Sequence, residues 1–192
     1  MSTGTKLTLS SALGHSEQSA LSQVLWIAAF AAATALGARV EIPNSPVPYT
    51  LQTLVVLLAG AFLGARNGTL SQLLYLSAGV LGAPVFAGGA FGIARLLGPT
   101  GGYLVSFPIA AAVVGYLVPQ RRGLLWTMGS MTAGLFVVFL CGTLHLYAFA
   151  LHDWGLAVQS GFLIFSWWDI VKLVAAATTY HEVSKRWPRV PV

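Results

Sequence analysis

Charge is scarce in this sequence: ten Lys and Arg and five Asp and Glu make up 8 % of 192 residues. Soluble domains carry about 25 % charged residues, so water is not the main solvent of this surface. The one cysteine, Cys141, sits inside an apolar run, which excludes a disulfide framework or a cysteine-based metal cluster. Of the three lysines, Lys6, Lys172 and Lys185, none follows a phosphate-cradling glycine loop. The Gly98-Pro99-Thr100-Gly101-Gly102 run lacks that lysine, so the chain is not itself an ATPase. The acidic residues are too few and too scattered for a carboxylate cluster such as a lipid-processing membrane enzyme would need. His145 and His152 lie seven apart with no suitably spaced carboxylate partner, a poor metal set. Catalytic residues and metal ligands are therefore expected to be absent.

Present in abundance is apolar sequence: 56 % of residues are hydrophobic and the mean hydropathy is +0.77. One domain of this size could not hide so much apolar surface in a single core. The expected fold class is an all-α integral membrane protein, a single transmembrane domain over residues 1–192. A crossing needs about 20 mainly apolar residues, and six such segments are expected: Gln23–Arg39, Thr50–Ala65, Thr69–Gly82, Gly102–Val118, Leu124–Leu151 and Gln159–Val183. The second and third are short and joined at Arg66-Asn67-Gly68, which predicts an antiparallel hairpin. Residues 1–22 are Ser/Thr-rich and read as a polar cytoplasmic tail. The basic residues fall at the ends of apolar runs rather than in a stripe, which speaks for topology and against nucleic acid as partner. One side would collect Lys6, Arg66, Arg121, Arg122, Lys185, Arg186 and Arg189, and the other only Arg39 and Arg95. By the positive-inside tendency both termini are then cytoplasmic.

The outer loops are unlike ordinary linkers. Ala83 to Gly102 holds six of the 21 glycines in 20 residues, yet is apolar with one charge, Arg95. Irregular backbone at membrane depth must rest on protein or line a cavity, because its polar groups cannot be left in lipid. A re-entrant structural turn and a lid over a ligand pocket both satisfy that requirement. The other long loop contains Pro43, Pro46 and Pro48, which stiffen it. Gln52 follows within an otherwise apolar span, where helix capping does not account for it.

Asp169 and Lys172 stand in the last span. Each charge there costs about 2.5–3.5 kcal/mol on insertion scales, and such groups usually mark substrate sites or relays. Their i, i+3 spacing puts them on one face, so a bundle-stapling ion pair is the alternative. Trp167 and Trp168 precede them, deep for an interfacial belt. In the first span, Ala28 and Ala32, and Ala29 and Ala33, repeat at four residues. Small residues at that period admit a second helix, from within the bundle or from a partner.

The run Pro46-Val-Pro-Tyr-Thr-Leu-Gln-Thr through Gly68, then Ala83-Pro-Val-Phe-Ala-Gly-Gly, Leu97-Gly-Pro-Thr-Gly-Gly-Tyr-Leu and the late Asp169-x-x-Lys172 closely resemble the BioY family. Those proteins are the biotin-specific substrate-capture components of energy-coupling-factor transporters, and the likeness runs from about Pro43 to Lys172. The resemblance implies a six-helix bundle in a bacterial cytoplasmic membrane that captures biotin near the outer face. It implies a transmembrane coupling subunit and two ATP-binding subunits as partners, ATP being used only by them, and no cofactor in this chain. Asp169 and Lys172 would meet the polar groups of the vitamin. The segment Phe86 to Tyr103 would help enclose it, with Arg95 as partner for its carboxylate tail. Gln52, Tyr49, Phe86, Tyr103 and Trp168 complete the expected binding set, with Phe91 and Trp167 as further aromatic surfaces. The alanine face Ala28, Ala29, Ala32 and Ala33 would dock on the coupling subunit. Ser166-Trp167-Trp168 departs from the Pro and Gly more frequent there in the family. A solo or proton-coupled carrier with Asp169 as relay, and a membrane enzyme, are the rival functions. Pairing of the chain with a second copy, and membrane lipid as surroundings, complete the expected partners.

Overall fold

The computed structural model describes residues 6–121, 123–163 and 167–186; Arg122, Ser166 and Arg189 fall outside these. Helix α1 covers Lys6–Arg39, so residues 6–22 continue the first helix where a tail was expected. The apolar part that could cross a membrane begins at Ala20. A ribbon of two short antiparallel strands follows, β1 (Glu41–Ile42) and β2 (Tyr49–Thr50), with Glu41 opposite Thr50 and Ile42 opposite Tyr49. Then come α2 (Gln52–Val80), α3 (Ile93–Leu97), α4 (Gly101–Leu117), α5 (Leu124–Leu146), α6 (Trp154–Ala157) and α7 (Trp167–Arg186).

Among the described residues, four helical stretches are long and apolar enough to cross a membrane: Ala20–Arg39, Gln52–Val80, Gly101–Gln120 and Leu124–Leu151. A fifth is obtained if Trp154–Phe162 and Trp167–Arg186, bent by 44° to each other, form one broken span. The stretch Gln52–Val80 is not straight. Gly64 has φ 76° and ψ 178°, a conformation that only glycine reaches cheaply, and the chain turns back there. Gly68 lies against the backbone of Ala59 and Gly60. Gln52 reaches Tyr75, whereas a straight helix would hold those two about 34 Å apart at 1.5 Å per residue. The hairpin expected from sequence is thus present, with its turn at Gly64 rather than at residues 66–68.

The outside of the molecule is greasy, and several polar side chains are buried within. Leu25, Leu36, Val105, Ile109, Phe136 and Leu144 are exposed, while Thr34, Gln52, Gln72, Asp169 and Lys172 are buried. Gln72 donates to Thr34 Oγ1 (3.2 Å) and to Ser71 Oγ (3.1 Å), joining α1 to the second arm of α2. Interhelical hydrogen bonds of this kind hold helices together where lipid removes the hydrophobic drive. Apolar packing of Phe107, Val114, Met131, Leu135 and Val138 fills the centre between α4 and α5. On α7, Asp169, Lys172, Leu173, Ala176 and Ala177 form the single buried face, at helical spacing.

Candidate functional site

Near the end of the bundle that carries the ribbon, a cleft encloses about 640 Å³ of empty space, its mouth included. Its wall is built from six parts of the chain. The ribbon and the start of α2 bring Val47, Pro48, Tyr49, Thr50, Gln52 and Thr53. The outer segment brings Ala87, Arg95 and Thr100; α4 brings Tyr103, Leu104 and Phe107; α5 brings Val138 and Phe139; α7 brings Asp169 and Lys172. The start of α2 is tied to the end of α1, because Leu51 N donates to Gly37 O (3.1 Å) and Val40 O (3.2 Å).

Lys172 and Asp169 form an ion pair at 2.5 Å, both side chains almost fully buried. The ammonium also donates to Thr53 Oγ1 at 2.8 Å and to the Thr50 carbonyl at 3.0 Å. An ammonium has three N–H donors, and all three are used. Lys172 therefore locks α7 to the start of α2 and neutralises Asp169. Gln52 is equally engaged: its Oε1 accepts from Thr50 Oγ1 (3.0 Å) and its Nε2 donates to the Tyr75 hydroxyl (2.5 Å). The Tyr75 hydroxyl in turn donates to Val85 O at 3.4 Å, reaching into the outer segment. Tyr103 donates to Gly161 O (2.9 Å), which leaves its ring as the cavity surface.

Two polar side chains on the wall stand apart from this frame. The guanidinium of Arg95 makes no hydrogen bond or ion pair among the described residues; its backbone N donates to Gly92 O at 3.2 Å. Thr100 is buried, and its hydroxyl has no partner among them. An unpaired guanidinium and an unsatisfied hydroxyl on a wall whose other polar side chains are engaged with one another fit an anionic or strongly accepting group on a small ligand.

Of the expected binding residues, Tyr49, Gln52, Arg95, Tyr103, Asp169 and Lys172 meet on this one wall. Phe86 does not. It is fully buried, seated against Gly79 and edge-on to Tyr75 at 5.6 Å between ring centroids, so it packs the floor of the outer segment. Trp168 is also off the wall and stands edge-on to Trp167 at 5.7 Å. Trp167 and Phe91 are 71 % and 61 % exposed and face outward. Ser166 lies outside the described residues. Thr100, Phe107, Val138 and Phe139 carry no local signal of a site; each reads as helix start or core. On α1, Ala28, Ala29 and Ala32 are exposed and Ala33 half-buried. The alanines that pack inward are Ala31 and Ala38. No group of three or more potential metal ligands occurs among the described residues.

A helical membrane bundle with an apolar, charge-anchored pocket near one end is the architecture of a small-molecule capture protein. Comparison with known proteins narrows that class. A profile of the BioY family matches residues 9–189, and the chain belongs to that family. It is 40 % identical over 155 residues to the biotin transporter BioY of Thermotoga maritima, covering 81 % of this chain and 91 % of that one. It is 43 % identical over 154 residues to a probable biotin transporter BioY of Pyrococcus horikoshii, covering 80 % and 91 %. The fold matches the crystal structure of an S-component for biotin from an ECF-type ABC transporter, with a TM-score of 0.80 at 24 % identity over 86 % of this chain and 92 % of that one.

Proposed function

We propose that this chain captures biotin in the cavity between the ribbon, the outer segment and α7, and delivers it across the bacterial cytoplasmic membrane. In this reading it is the substrate-binding component of an energy-coupling-factor transporter. The observation that carries the reading is the placement of the Asp169–Lys172 pair and of Arg95 on the same largely apolar wall. Biotin has a compact bicycle with ureido N–H donors at one end and a carboxylate at the other. Asp169 is the acceptor for the ureido N–H groups, and its ion pair with Lys172 holds that carboxylate in place. Arg95 takes the carboxylate tail, and the rings of Tyr49, Tyr103 and Phe107 cover the bicycle.

The two arms of α2, together with α1, α4, α5 and the broken α6–α7 unit, make six crossings in this reading. Both termini lie on the cytoplasmic side. Support for that orientation comes from a second cavity at the far end, lined by Gly64, Arg121, His181 and Lys185, where the cations gather. The face of exposed Ala28, Ala29 and Ala32 and half-buried Ala33 docks on a transmembrane coupling subunit, and two ATP-binding subunits supply the energy. A proton-relay role for Asp169 is disfavoured by its ion pair: protonating the carboxylate would strand a buried ammonium.

Equilibrium binding of radiolabelled biotin to the purified chain in nanodiscs tests the proposal. Saturable binding in the nanomolar to micromolar range is expected. Arg95→Gln should weaken biotin by about tenfold or more while leaving biotinamide, which lacks the tail charge, unaffected. Absence of saturable binding by the unaltered chain would overturn the reading.

A further inference from the structure

Arg95 stands on α3, a helix of five residues. So short a helix has no stability of its own, so something else must hold the guanidinium over the cavity. The N-terminal end of α3 is held by main chain: Gly92 N donates to Gly79 O at 2.7 Å. At the other end the Gly98 carbonyl accepts from Gly101 N at 2.9 Å and also from a side chain of a different helix. His145 of α5 places Nε2 3.0 Å from the carbonyl oxygen of Gly98, directly after α3. A carbonyl only accepts, so Nε2 carries the proton and donates. The ring is fixed from its other side by stacking on Phe149, with centroids 4.5 Å apart and planes inclined by 23°.

The glycines of the Gly98-Pro99-Thr100-Gly101-Gly102 run form the receiving notch. A Cβ at Gly101 would come within 2.9 Å of His145 Nε2 and would collide with the Leu96 carbonyl. A Cβ at Gly102 would strike His145 Cβ and the Cys141 carbonyl. Small residues there let the start of α4 close onto α5 and bring the Gly98 carbonyl under the imidazole.

We infer that His145 is a positioning residue for ligand capture: it clamps the C-terminal end of α3 and thereby sets Arg95 over the cavity. The inference rests on the proposed role of Arg95 toward the carboxylate of biotin. His145 acts on the ligand only through α3, and its loss releases the tail end of the pocket while leaving the Asp169 end intact.

The experiment compares His145→Ala, His145→Gln and Arg95→Gln, and the His145→Ala/Arg95→Gln double variant, for biotin and for biotinamide. His145→Ala is expected to weaken biotin about tenfold, chiefly through faster dissociation, and to leave biotinamide within twofold. His145→Gln, whose amide N–H reaches a similar position, should recover most of the loss. The double variant should bind biotin no worse than Arg95→Gln alone. Equal losses for biotin and biotinamide, or additive losses in the double variant, would overturn the positioning role and leave His145 as packing. Amide exchange of residues 93–98 in the ligand-free protein gives a readout that needs no biotin: it should rise in His145→Ala and not in His145→Gln. Unchanged exchange would refute the clamp even if biotin binds. A failure of the unaltered chain to bind biotin, with the exchange effect intact, would instead remove the reading of Arg95 and preserve the clamp.

Discussion

Gln52 at the start of α2 donates a hydrogen bond to the hydroxyl of Tyr75, 23 residues further along what local geometry counts as one helix. The contact exists because Gly64 turns the chain back on itself, and it is more than a brace between two arms. Thr50, whose carbonyl receives Lys172, also donates to Gln52. Tyr75 passes the chain of bonds on to Val85 in the outer segment. The charged end of the cavity and the segment that covers it are thus joined by one run of hydrogen bonds, fully buried at Gln52–Tyr75 and part-buried at the other links.

Tyr75→Phe leaves Gln52 Nε2 without its acceptor in a buried site, and an orphaned group of that kind costs about 1–3 kcal/mol. Thermal unfolding in detergent should register the loss. Gln52→Leu combined with Tyr75→Phe removes both partners and should recover part of it. A double variant destabilised by the full sum of the two single changes would count against direct coupling.

Asp169→Asn leaves the Lys172 ammonium buried without its counter-charge, and Lys172→Met takes the counter-charge from the carboxylate. Breaking a buried pair from one side costs about 3–5 kcal/mol. Each single variant should insert but unfold at lower temperature and lose biotin binding by at least about a hundredfold. The double variant Asp169→Asn/Lys172→Met should regain stability without regaining binding. Recovery of binding in the double variant would show that the pair serves only as a staple.

Thr100 has a buried hydroxyl without a partner among the described residues. Thr100→Val keeps the shape and removes the unsatisfied group, so the ligand-free protein should gain about 1 kcal/mol. Biotin affinity should fall, since the site loses a polar group held ready beside Arg95. Calorimetric titration and melting curves of the same sample distinguish the two effects; a loss of stability with unchanged affinity would contradict the assignment.

Ala32→Trp places a large side chain on the exposed face of α1, away from the cavity. Biotin binding by the isolated chain should stay within about twofold. Biotin uptake by cells that also carry the coupling and ATP-binding subunits should fall at least about tenfold, with loss of copurification of the coupling subunit. Undiminished uptake would exclude this face as the docking surface.

Composition and hydropathy were enough to place this chain in a membrane and to outline its apolar helices, because burial in lipid acts on every residue of a span at once. The cost of an intramembrane charge likewise singled out Asp169 and Lys172 from linear sequence alone. The hairpin was legible from two short apolar runs. Polar Arg66-Asn67-Gly68 predicts the turn, whereas the positive φ falls on the less conspicuous Gly64.

What no local pattern contained was which groups satisfy one another. Phe86, a candidate ligand surface from its place in the glycine-rich segment, is seated by the fold against Gly79, and Trp168 stands edge-on to Trp167. The pairing of Lys172 with Asp169 is local, but that its two other donors would be consumed by Thr53 and Thr50 depends on residues 119 and 122 positions away in the chain. The same holds for His145 beneath Gly98, 47 residues away: such a hydrogen bond exists only once the bundle has closed, since it is the packing of α4 on α5 that brings donor and acceptor within reach.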